Sequence, residues 1–183
     1  MGERAEKMVR WGRYLWRLRV RNRHIRTRGL VNIDRTAEIF CRRGLAHMEL
    51  GRDVCLGAGT VLRCLEGSIR IGDRVVFGGD NTVTAYLDVD IGEDCIFADR
   101  IYVTDFDHRY ADREMRIQDQ GIAASPVLLE PDCWIGEKAS ILRGSHVGRG
   151  SVVGAQTLVK GDIPPYSVAV GAPARVVKRR GDR

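Results

Sequence analysis

Four residues in one short stretch, Asp105, Asp107, His108 and Tyr110, carry the side chains that acid–base chemistry uses. An unperturbed imidazole titrates near ~6.5, so His108 can take a proton from a hydroxyl at neutral pH and release it again. A neighbouring carboxylate would orient the ring and stabilise the imidazolium. Asp105 and Asp107 both stand close enough, and spacing does not choose between them. The competing reading is a surface histidine with one local hydrogen bond. Other chemistries have less support. The five cysteines, Cys41, Cys55, Cys64, Cys95 and Cys133, contain no C-x-x-C pair, which argues against a disulfide framework or a zinc ribbon and for reduced thiols. His24, His47 and His146 lie too far apart to make a three-histidine metal site, so no metal is expected.

The elements around this stretch are repeats of six. An aliphatic residue is followed by Gly, two polar residues and a small or β-branched one, as in Leu50-Gly-Arg-Asp-Val54, Ile71-Gly-Asp-Arg-Val75, Ile135-Gly-Glu-Lys-Ala139 and Val153-Gly-Ala-Gln-Thr157. The phase holds: Leu129, Ile135, Ile141, Val147, Val153 and Val159 follow at intervals of six, as do Ile71, Phe77 and Val83, and Ile91, Phe97 and Val103. An inward aliphatic at the first position and a small inward residue at the fifth describe a short strand and a sharp corner. Three such units make a triangular turn, and a parallel β-helix lets each strand bond to the one a full turn away. Gly at the second position suits a positive φ or close backbone approach. No helical pattern separates the hexads, which excludes an open α/β sheet. Cys95 and Cys133 fall at fifth positions and read as core filler rather than nucleophiles. The register breaks after Thr104 and resumes at Pro126, so residues 105–125 must bulge out as a loop, and His108 lies on it.

The chain has 183 residues, 44% hydrophobic and 30% charged, the profile of one soluble domain. Its net charge of +6 is unevenly distributed: residues 1–28 hold ten basic and two acidic side chains, so this segment carries +8 and the rest −2. Met8, Trp11, Leu15 and Leu18 are spaced as one face of an amphipathic helix over about Glu3 to Arg23, within a basic segment at 1–30. That helix could cap the first coil of the solenoid or lie on an anionic membrane. Nucleic acid is not an expected partner, because no recognition module accompanies the basic face. No apolar run approaches the ~18 residues of a membrane span, and no apolar core of a signal peptide is present, so the expected compartment is the cytoplasm.

The hexads, together with Trp134-Ile-Gly, Gly154-Ala155, Asp162-Ile-Pro-Pro165 and Gly171-Ala-Pro-Ala174, resemble the hexapeptide-repeat acyltransferases over about residues 31–177. Within that family the closest likeness is to sugar O-acetyltransferases of polysaccharide synthesis. The resemblance implies an all-β fold, a left-handed parallel β-helix with an N-terminal amphipathic α-helix, an excursion loop and a short basic tail at 178–183. The left hand is a known exception to right-handed crossovers. It also implies a homotrimer with sites between subunits, acetyl-CoA as co-substrate, and a saccharide or glycan precursor as acceptor. His108 would be the base of a direct transfer, with backbone N–H groups holding the oxyanion. Tyr110 and the Asp80-Asn81 pair would face the acceptor, although Asn81 reads equally as an asparagine ladder or corner. Trp134, Gly154 and Ala155 would line the pantetheine arm, and Lys160, Arg175 and Lys178 would meet the CoA phosphates. The family commonly has Thr-Lys-Asp before Ile-Pro-Pro, whereas here Gly161 follows Lys160, and Glu137 stands where a small polar residue is usual. N-acetylation of an amino sugar, transfer of succinyl or another acyl group, and a silent scaffold are the alternatives.

Overall fold

The computed structural model describes residues 25–182, so the expected N-terminal amphipathic helix lies outside the described residues. The strands stack into three sheets. The first has seven strands, from Ile25–Thr27 to Asp162–Ile163; the second runs from Val31–Ile33 to Ser167–Val170, and the third from Glu38–Cys41 to Leu158–Val159. Within the coils, successive strands belong to different sheets, and each pairs in parallel with the strand one turn away, as Asp88–Ile91 does with Gly67–Ile71 and with Val127–Leu129. This is the parallel β-helix that the hexads predict. Coiling is already present at Ile25, the first described residue and earlier than residue 31, and the last coil is followed by a hairpin in which Arg175–Arg179 runs antiparallel to Ser167–Val170. Part of the expected basic tail is therefore a strand. Among the described residues no helix is long and apolar enough to cross a membrane.

Stacking in register turns the first hexad position into continuous apolar columns inside the solenoid. Leu56, Phe77, Phe97, Ile135, Val153 and Ala169 follow one another through paired strands, and all are at most 2% exposed. The rings of Phe77 and Phe97 stack with centroids 4.5 Å apart. Fifth-position residues fill the corners: Val54, Val75, Cys95, Cys133 and Ala139 are buried.

The second and fourth hexad positions divide the work of the corner. Gly51, Gly92 and Gly136 lack a positive φ, but a Cβ on any of them would lie 2.5–2.6 Å from backbone atoms of the next coil. Close approach, not the left-handed region, selects glycine there. The positive φ falls instead at the fourth position, at Asp53, Arg74, Asp94, Asp132, Lys138 and Gln156. This conformation is unfavourable for L-residues, and it aims the amide backward. Asp53 N–H donates to Leu30 O (2.7 Å), Arg74 to Arg52 O (2.7 Å) and Asp94 to Asp73 O (2.9 Å), each on the preceding coil. Second-position amides donate forward, as from Gly72 to Ile91 O (2.7 Å) and from Gly136 to Val153 O (2.8 Å).

Carboxylates at the corners add charged links between coils. Asp73 accepts the Arg52 N–H and two guanidinium bonds, and Arg74 forks onto Asp94 at 2.7 Å from both nitrogens. The Arg52 backbone N–H holds Asp73 below the ordinary carboxylate range, the Arg74 guanidinium does so for Asp94, the Arg149 N–H for Glu130 and the Arg100 guanidinium for Glu137.

Two measurements test this construction. Gly51→Ala should cost about 1–3 kcal/mol, because the added methyl meets packed backbone; an unchanged urea midpoint would contradict the close approach. A carboxylate whose folded pKa is depressed contributes stability that is fully present above its unfolded pKa, near ~4, and is lost as pH falls through the folded value. The thermal midpoint should hold from neutral pH down to about 5 and fall below about 4. A midpoint independent of pH down to 3 would count against these links.

Candidate active site

The excursion leaves the third sheet after Tyr102–Thr104 and returns to the first at Val127–Leu129. Its stem is a two-stranded hairpin: Phe106–His108 runs antiparallel to Ile122–Ala124, with His108 opposite Ile122. Arg109 N–H donates to Gly121 O (3.0 Å) and Ser125 N–H to Asp105 O (2.9 Å), extending the ladder at both ends. At the tip, the Gln120 amide donates to Asp112 O and Met115 O (2.7 and 2.8 Å) and accepts from Asp112 N–H (3.0 Å). The tip is thereby folded, and it exposes Tyr110, Met115 and Ile117.

His108 is exposed, and its imidazole makes no hydrogen bond or ion pair among the described residues. Neither candidate carboxylate orients it. Asp105 is fully buried, and its two oxygens accept Tyr86 N–H (2.8 Å) and Leu87 N–H (2.7 Å) from the preceding coil. Burial raises its pKa against those bonds. Asp107 accepts from Arg143 Nε at 2.7 Å. Both carboxylates are engaged by neighbouring coils, and neither hydrogen-bonds to the imidazole among the described residues. Arg143 went unnoticed in the sequence because it occupies a third hexad position, where any polar residue is ordinary.

Asn81 is 1% exposed, donates to Ala98 O (2.9 Å) and accepts from Ile101 N–H (2.9 Å), so its amide bridges backbone groups inside the coil, as the corner reading expects. Asp80 is an exposed corner residue at φ 55°. Tyr110, on the tip, is 74% exposed.

The residues expected along the donor lie on the C-terminal coils. Trp134 projects outward, 54% exposed, between Ile96 and Val152 of the adjoining coils. Ala155 is exposed beside Gly154, where a Cβ would lie 2.8 Å from Val170 Cγ1, so glycine is required there by the close approach of the Val170 side chain. Lys160 follows Leu158–Val159, and Arg175 and Lys178 stand on the terminal strand, all exposed. These residues fit an extended apolar arm ending in anionic groups. Cys95 and Cys133 are buried, and their thiols share Glu130 O as acceptor (3.3 and 3.1 Å). The neighbouring Cys133 thiol and burial hold the Cys95 thiol far above its ordinary value. Among the described residues no group of three or more His, Cys, Asp or Glu is placed to hold a metal ion.

Comparison with known proteins gives a consistent picture. The chain is 50% identical over 173 residues to a probable acetyltransferase, Rv3034c, of Mycobacterium tuberculosis (strain ATCC 25618 / H37Rv), a match covering 94% of this chain and 57% of the relative. It is 30% identical over 122 residues to the putative lipopolysaccharide biosynthesis O-acetyl transferase WbbJ of Escherichia coli (strain K12), covering 59% of this chain and 62% of that protein. The matches thus span about three-fifths of these curated relatives' own length. Among solved structures, a hexapeptide-repeat acetyltransferase of Vibrio cholerae O1 biovar eltor, complexed with acetyl coenzyme A, superposes with a TM-score of 0.63 at 25% identity, over 75% of this chain and 72% of that one. The N-acyltransferase AntD of Bacillus cereus, solved with dTDP and coenzyme A, is 18% identical with a TM-score of 0.69, over 98% and 90% of the two chains, and speaks for the fold alone. No family model matches.

If Asn81 is structural, Asn81→Ala should destabilise by at least about 1–3 kcal/mol, since it strands a buried donor and a buried acceptor. A denaturant midpoint equal to the native one would return Asn81 to the acceptor side.

Proposed function

We propose that the chain is a member of the hexapeptide-repeat acyltransferase family and that it moves an acetyl group from acetyl-CoA to a hydroxyl of a saccharide or glycan precursor. The observation that carries this reading is His108: an exposed imidazole with no hydrogen bond or ion pair among the described residues, on a hairpin that stands outside the coils. The 30% identity to WbbJ supports O-transfer to a glycan. In keeping with the family, the coils wind left-handed, the protein works as a homotrimer in the cytoplasm, and the hairpin of one subunit reaches the wall of the next.

His108 accepts the proton of the acceptor hydroxyl as its oxygen bonds to the thioester carbonyl carbon. When the C–S bond breaks, the imidazolium returns that proton to the departing thiolate. A thiolate leaves readily, so no acyl-enzyme is needed, in keeping with the buried Cys95 and Cys133. The exposed Trp134 packs along the arm, with Gly154 and Ala155 beside it. Lys160, Arg175 and Lys178 offer charge-assisted contacts to its phosphates. Asp80 and Tyr110 are the exposed residues left to meet the acceptor.

The test is thiol release from acetyl-CoA with a pool of methyl glycosides, amino sugars and nucleotide sugars, comparing the native protein with His108→Ala. Saccharide-dependent release should fall by about 10²–10⁴-fold in the variant. Release that depends only on the amino sugars would shift the reading to N-transfer. Native rates in His108→Ala would remove the base, and failure to bind CoA would favour a scaffold.

A further inference from the structure

The three residues preceding His108 all reach the coils on either side. Asp105 binds the Tyr86 and Leu87 amides of the preceding coil, the Phe106 ring lies 5.9 Å from that of Tyr86, and Asp107 binds Arg143 of the following coil. The return strand is tied at the same level, with Gly144 N–H donating to Ser125 O (3.1 Å). The hairpin stem itself is only three residues per strand, and two short strands hold little structure alone.

We propose that Asp105 and the Arg143–Asp107 pair are positioning residues that clamp the hairpin stem between the preceding and following coils and thereby fix where His108 presents its imidazole. The proposal rests on His108 as the base. The pair is part-exposed, at 32% and 42% of the two side chains, so it adds little to global stability. A displaced base, by contrast, loses rate steeply. Nothing in the donor reading requires Arg143, and its Nε–Oδ2 contact is the only direct side-chain link between the stem and the following coil among the described hydrogen bonds and ion pairs. Asp105 does the complementary work: its carboxylate holds two amides where the chain leaves the coil, a task that its carboxamide analogue can perform at one oxygen only.

The test uses the full chain with acetyl-CoA and the saccharide pool. Arg143→Met should lower kcat about a hundredfold while KM for acetyl-CoA stays within about twofold. Asp105→Asn should act in the same direction. The reciprocal exchange, Asp107→Arg with Arg143→Asp, should recover much of the loss, which a merely structural role would not do. Hydrogen exchange needs no acceptor: in Arg143→Met the amides of His108 and Arg109 should exchange at least about tenfold faster, with Val103 unchanged. Native kcat and native exchange in Arg143→Met, with His108→Ala inactive, would overturn the clamp and leave the base standing. A raised KM for acetyl-CoA at native kcat would overturn it by assigning Arg143 to the donor. Faster exchange at Val103 as well would reduce the pair to ordinary stability. Native turnover in His108→Ala would remove the base, and the clamp with it.

Discussion

Every coil of this protein must hydrogen-bond to the coils on both sides at the spacing of paired strands, ~4.8 Å. The rest of the structure follows from that constraint. Strands of two to five residues are too short to hold themselves, so the corners must continue the ladder. They do so with a fixed division: the second-position amide donates forward and the fourth-position amide donates backward. Glycine is needed where backbone meets backbone. At the fourth position Asp, Arg, Lys and Gln accept a positive φ because the bond to the preceding coil compensates for the strain.

The same constraint governs the excursion. A solenoid cannot add residues within a coil without losing register along its axis, so an insertion must leave and return at one corner. Here Asp105 makes the exit: it is buried where a corner residue would be, and it replaces lost backbone acceptors with its own two oxygens. The return is sealed by the Ser125 and Gly144 backbone bonds, and the coil continues at Val127 in register with Val89. The loop is thus an extension of the stacking rule, and His108 sits three residues beyond the point where the rule is satisfied by a side chain.

Polar groups inside the solenoid follow the same logic. Asn81 and Ser151 each bridge backbone groups of an adjoining corner, and Asp73 accepts both the backbone N–H and the guanidinium of Arg52. Thr157 Oγ1 is the buried side-chain oxygen without a partner among the described residues. An unusual residue at an inward position is therefore as apt to be a corner bridge as a ligand, and burial with satisfied hydrogen bonds separates the two.

The sequence by itself determined the solenoid, its three-sided section and the excursion at 105–125, because a strict period of six is a property of composition along the chain and survives without coordinates. It also singled out His108, since no other histidine interrupts the register. It could not decide which carboxylate does what. Asp105 and Asp107 are two residues apart and chemically identical, and only the stacking of coils sends one to the Tyr86–Leu87 amides and the other to Arg143, 36 residues away. Asn81 was equally ambiguous for the same reason: its partners, Ala98 and Ile101, are a full coil distant. Period is local and therefore legible, whereas side-chain partnership across coils is set by the stacking that tertiary structure alone supplies.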